Sequence, residues 1–291
     1  MNILVNHIKN FNNRQKVLRI FDMALGLWVL LHAYKHFGIK DILYSPYNFC
    51  PLPKTTWPYE IDIIFYNFFG YNWFSYGIAF QVLLGLVFII FGSSFIIRIL
   101  LFFISLNLFK LCGSITDGGN DIFLNLMLLY IFCPKISPKK LPNFMQELLF
   151  FSIIISMQYQ IVLIYIQAAL SKIRTDGWST GIALHYIFQQ PEFSNPFFAK
   201  LILSNDWLIV MGTYSAILFQ LLFLPAVLSK KFKLPWLFLG VGFHLGILLM
   251  MNLVTFSLLM IIAYILFLND SDLLSLKNIT RASKQTIKEI N

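Results

Sequence analysis

YQIVLIYIQAALSKIRTDGWSTGIALHYIF, residues 159–188, opens as an unbroken apolar run, closes it with one lysine, Lys172, and then turns polar and glycine-punctuated. Ile161 to Leu170 carries no charge, and Ala168, Ala169 and Ser171 present small side chains on which a second helix backbone can approach closely. The run reads as a membrane-spanning helix with Lys172 at the rim of the hydrocarbon layer. An ammonium at that depth has three fates. Its stem snorkels and the charge stays in water, it enters a buried ion pair, or it faces the bundle interior as a desolvated amine that can act as a base. The third requires about 4.6 kcal/mol of environment to keep half of the amine neutral at pH 7, within the range known for buried lysines.

Composition extends this reading to the whole chain. Of its 291 residues 58% are apolar and 12% charged, and a soluble domain carries about twice that charge. The fold class expected is therefore all-α, a polytopic integral membrane helical bundle. Eight candidate spans cover roughly 17–35, 73–92, 95–111, 121–133, 148–172, 206–228, 234–251 and 253–268. The fourth falls short of the about 20 residues that cross a bilayer and reads as a half-helix or a tilted hairpin arm. Residues 1–16 form a basic amino-terminal segment with no small-residue cleavage site after the first apolar run, so that run is read as retained. Residues 17–268 form the transmembrane domain, with outside loops near 36–72 and 173–205, and 269–291 form a basic tail.

The net charge of +9 is explained by sidedness. With the amino terminus in the cytoplasm, most of the Lys and Arg fall on inside segments and most of the acids outside, which places both termini in the cytoplasm and calls for no nucleic-acid partner. Three cysteines exclude a disulfide-dense fold; Cys50 and Cys112 can form one bridge if both face the oxidising side, leaving Cys133 free.

Further candidates lie along the chain. Arg19 and Asp22 stand three apart on the first span and share a face, either as a local ion pair or as a brace for a polar interior. Residues 36–72 are rich in Pro and aromatics and read as a surface or re-entrant lid. Asn120 and Asp121 follow a Gly-Gly pair, as helix caps or as a polar pair on the same side as Lys172. A short interfacial helix is expected over Thr180–Gln189, stopped by Pro191, with His185 on its surface. His244 sits near mid-depth of its span, bracketed by Gly242 and Gly246, a pair that lets a neighbouring helix come close. It is either a neutral imidazole bonded to a neighbouring helix or a functional group. No H-x-x-x-H or C-x-x-C spacing supplies His244 with a second metal ligand, so no metal is expected there. A P-loop, a G-x-G-x-x-G and a serine-nucleophile motif are all missing from the sequence.

Taken together, AALSKIRTDGWSTGIALHYIF, the histidine in LGVGFHLGILLMMNLVTFSLLM and the GGND turn resemble the sporulation-delaying protein B family of bacterial membrane proteins. Arg19 entering the first span, Cys50 in the Pro-rich loop and Trp178 six residues beyond the lysine add to the likeness. That family resembles the wider group of horizontally transferred transmembrane (HTTM) domains, which includes the vitamin K-dependent gamma-glutamyl carboxylase. The resemblance implies that Lys172 is a base acting on a menaquinone-like quinol and that His244 belongs to the same active site. Tyr165 and Trp178, with Arg19, Asp22, Asn120 and Asp121, are the further pocket candidates. Asp121 stands where the carboxylase has a second catalytic histidine, and the spans leave no room for its large lumenal domain, so carboxylation itself is not implied. The family resemblance implies instead a role in the bacterial cytoplasmic membrane. There the protein would act with a small SdpA-like partner in maturing a secreted precursor into a toxic peptide. An immunity protein or export scaffold is the non-catalytic alternative.

Overall fold

The computed structural model describes residues 12–39, 72–110, 118–134 and 144–275. Over these residues regular structure is entirely helical. In chain order the helices are α1 Gln15–Gly38, α2 Asn72–Phe91, α3 Phe95–Lys110, α4 Gly119–Tyr130, α5 Phe144–Ile173, α6 Asp176–Ser179, α7 Ala183–Phe188, α8 Pro196–Leu203, α9 Asp206–Leu228, α10 Lys233–Met251 and α11 Val254–Ala263. Single 3-10 turns follow α7 at Pro191–Phe193 and α11 at Tyr264–Phe267. Among the described residues, five segments are long and apolar enough to cross a membrane, namely α1, Phe74–Phe91 of α2, α5, α9 and α10, and two shorter apolar ones, Phe95–Phe109 and Val254–Phe267, accompany them. The interfacial helix, at Ala183–Phe188, is three residues shorter than expected at its start and one at its end.

Large apolar side chains such as Leu27, Leu31, Ile90, Leu218 and Phe238 face outward, which is favourable only against hydrocarbon. Because lipid tails are as apolar as these side chains, close packing and hydrogen bonds hold such helices together. Small residues provide the packing. A Cβ on Gly26 would lie 2.7 Å from the Gly85 carbonyl oxygen, so α1 and α2 meet backbone to backbone. The twelve-residue α4 is buried on nearly every side and packs on α3, α5 and α11. At twelve residues it is shorter than the about 20 of a straight crossing, as the half-helix or tilted arm expected of the fourth run would be.

Polar staples lock the ends. Arg19 donates to the carbonyls of Phe88, Ile89 and Ile90 at the carboxyl end of α2, where orphan carbonyls favour a cation. Asp22 accepts from the Ser93 amide at 3.0 Å, the Ser93 hydroxyl at 2.8 Å and the Tyr130 hydroxyl at 2.7 Å. The local Arg19–Asp22 ion pair expected from their spacing is thus replaced by two separate long-range roles, because each finds several fixed partners instead of one flexible one. Arg98 completes the cluster through Ser93 Oγ at 2.9 Å and the carbonyls of Tyr130 and Cys133. At the other end of the chain, Asp270 accepts from the amides of Lys16 and Val17 and so caps α1. The start of the segment read as the basic tail is therefore docked on the bundle.

Candidate functional site

Helices α5, α9, α10 and α11, with the α6–α8 segment, enclose a cavity of about 500 Å³ whose walls are mostly apolar. Tyr165, Ala168 and Lys172 line it from one face of α5, where positions three, four and seven apart fall together. The α6–α8 segment is folded over the end of α5 by close contacts. Gly181 takes a left-handed φ of +82°, and a Cβ there would lie 2.9 Å from the Tyr214 ring. Leu184 presses on Gly212, Tyr214 donates to the Ser179 carbonyl at 3.0 Å, and the Asn195 amide donates to the Met250 carbonyl at 2.8 Å. This segment brings Trp178 to the rim, with its ring 4.8 Å from Lys172 Nζ. Lys172 is half-buried, and among the described residues no carboxylate pairs with it.

His244 is one of three buried residues on α10, with Leu237 and Gly240. Its Nε2 lies 2.7 Å from the Tyr165 hydroxyl, which is also hydrogen-bonded to the Tyr264 hydroxyl. Gly240 is needed beneath this chain, since a Cβ there would lie 2.6 Å from Tyr264 Oη. His244 Nδ1 and Gln220 Oε1 are buried atoms with no hydrogen-bond partner among the described residues, and both residues line the cavity. A buried acceptor or donor left unpaired costs about 1–3 kcal/mol, and these two atoms are the unpaired ones on residues that line this cavity.

The cavity has two poles. Lys172 and Trp178 form one; His244, Gln220 and Tyr165 form the other. Tyr165 and Lys172 are separated by roughly 10 Å along α5, at 1.5 Å per residue. Lys172 and His244 line one chamber, and His244 bonds to Tyr165, about two helical turns along α5 from Lys172. The glycines flanking His244 also behave differently from the expectation. A Cβ on Gly242 or Gly246 would meet nothing within 4 Å. The pair therefore forms open cavity wall, and none of the described helices packs there.

The remaining candidates lie elsewhere. Arg19 and Asp22 belong to the staples described above. Asn120 does not cap α4: the cap position is Gly118, with φ +78°, and Asn120 is buried beside His32 while Asp121 is exposed. Cys50 and Cys112 lie outside the described residues, and Cys133 is free and buried. Sequence reasoning missed Gln220, although an amide amid the apolar run of α9 is an intramembrane polar signal. It also missed His32 and His36, whose rings lie 4.0 Å apart beside Phe109 and Trp28. Their H-x-x-x-H spacing was the available signal, although among the described residues no third His, Cys, Asp or Glu joins them.

Residues 140–271 match the HTTM domain, a stretch that contains every residue lining the cavity. Over 132 residues the chain is 31% identical to sporulation-delaying protein SdpB of Bacillus subtilis, a match covering 44% of this chain and 41% of that protein's length. No solved structure matches the chain. The chain thus has apolar helices long enough to cross a membrane, a match to the HTTM domain over residues 140–271, and similarity to SdpB over less than half of either chain.

Proposed function

We propose that this protein works in a bacterial cytoplasmic membrane, with both termini in the cytoplasm and about eight spans, in the maturation of a secreted toxic peptide together with a small SdpA-like partner. The apolar helices, the basic ends and the likeness to SdpB support this reading. One observation carries it to particular residues: Lys172, Trp178, Tyr165 and His244, chosen from the sequence as pocket candidates, line a single cavity inside the HTTM stretch. In this reading Lys172 is the working amine at the outward rim, and His244 serves the inner pole. Replacing Lys172 with Ala in a producing strain should bring peptide output to background with normal levels of the membrane protein, and Lys172→Arg should also fail. Wild-type output from either variant would remove Lys172 from the mechanism.

A second reading, a quinol-dependent membrane enzyme, is favoured by the mostly apolar walls, which suit the ring and chain of a menaquinone-like quinol. A bound quinol would supply hydroxyl protons and reducing equivalents. Lys172 is the residue at the rim that would hold or accept a proton there. Menaquinone in organic extracts of the purified protein, lost on Lys172→Ala or His244→Ala, would favour this reading; its repeated absence would count against it.

A further inference from the structure

We propose that the cavity holds an extended apolar peptide segment ending in a free carboxylate, with the carboxylate at Lys172 and backbone amides at the inner pole. The inference deepens the peptide-maturation reading and rests on it. Three features of the cavity select this ligand class. First, its walls are mostly apolar, so the occupant's bulk must be apolar as well. Second, Lys172 stands half-buried at the rim with no carboxylate partner among the described residues, and the Trp178 ring faces its ammonium at 4.8 Å. A single negative charge is the complement of that arrangement.

The third feature decides between a peptide and a lipid. The inner pole carries a buried Gln220 Oε1, which can only accept, and an unpartnered His244 Nδ1. The chain of a fatty acid anchored at Lys172 would run past both and leave them unpaired. A peptide of about three to four residues spans the roughly 10 Å between the poles at about 3.3 Å per residue. It also brings N–H and C=O groups along its length, so Gln220 Oε1 receives a donor and His244 Nδ1 a partner in either tautomer. A quinol headgroup would occupy one pole and leave the other unmatched. Gly242 and Gly246 supply the width: with nothing within 4 Å of a Cβ at either position, the wall beside His244 stands open to a passing side chain.

The test uses the full-length protein in nanodiscs and a synthetic tetrapeptide, Leu-Val-photoleucine-Leu, with a free carboxyl terminus. Photolysis should label peptides from α5 or α10, and amidating the probe's carboxyl terminus should cut labelling about tenfold. Lys172→Ala should match that loss, whereas Lys172→Arg should restore most of the labelling because the charge is kept. Gln220→Leu should reduce labelling severalfold. Gly246→Leu, whose side chain enters open space, should abolish it in protein that elutes as the wild type does. Labelling that ignores amidation and Gln220→Leu would overturn the inference. So would full competition by palmitate or menaquinone with no effect of Gln220→Leu. The two readings fail separately. If Lys172→Ala stops peptide output while the probe never labels the cavity, the recognition mode is wrong and the maturation role stands. If the probe labels as described while output survives Lys172→Ala, the recognition mode stands and the role of the amine falls.

Discussion

Two buried polar regions of this bundle differ in how completely they are satisfied. Around Asp22, Ser93, Arg98 and Tyr130 each charge meets several fixed partners, and Arg98 also lies 4.1 Å from the centre of the Tyr130 ring. Around the HTTM cavity Lys172 has no carboxylate partner among the described residues, and Gln220 Oε1 and His244 Nδ1 have no hydrogen-bond partner. The first arrangement ties α1, the α2–α3 turn and the end of α4 into one unit. The second leaves polar capacity unused beside empty volume. A saturated network stabilises the fold, whereas an unsaturated one next to a cavity is suited to a ligand.

Substitutions can break that contrast. Asp22→Leu should have the largest effect, a loss of about 3–5 kcal/mol, because Ser93 and Tyr130 lose their buried acceptor and the buried Arg98, bonded to Ser93, keeps its charge in a cluster without an acid. Little folded protein should then survive detergent extraction, and normal thermal unfolding of this variant would show that the network is dispensable. Tyr165→Phe comes next. It strands His244 Nε2 and the Tyr264 hydroxyl, and unfolding in a denaturant series should register a loss of about 1–3 kcal/mol. The smallest effect, and the one of opposite sign, is expected for Gln220→Leu. It removes an acceptor that has no partner, so stability should be unchanged or higher by about 1 kcal/mol. A loss as large as that of Asp22→Leu would mean that Gln220 has a structural partner, and the contrast between the regions would fail.

Much of the helical plan was legible in the sequence because a long apolar run has one stable form in lipid, the helix, in which every backbone group is bonded internally. The runs expected over 17–35, 73–92, 206–228 and 234–251 appear as helices close to those bounds. Lys172, Tyr165, Trp178 and His244 were also legible, as polar or aromatic residues interrupting or closing such runs. Helical periodicity places Tyr165 and Lys172 on one face. It cannot say what stands opposite that face.

That last step belonged to tertiary structure. Asn120 looked like a cap and lies in the core beside His32. Arg19 and Asp22 looked like partners and bond to residues about 70 positions away. Gly242 and Gly246 looked like a helix-packing pair and face open space. Asp270, assigned to a tail, caps α1. By itself the sequence determined the membrane-embedded helical class and which polar residues interrupt its apolar runs, because both follow from local composition and period. Only the tertiary structure decided which of those residues share a cavity, how far apart they stand and which remain unpaired. A hydrogen bond between segments distant in the chain depends on where both helices end up, which no local spacing records.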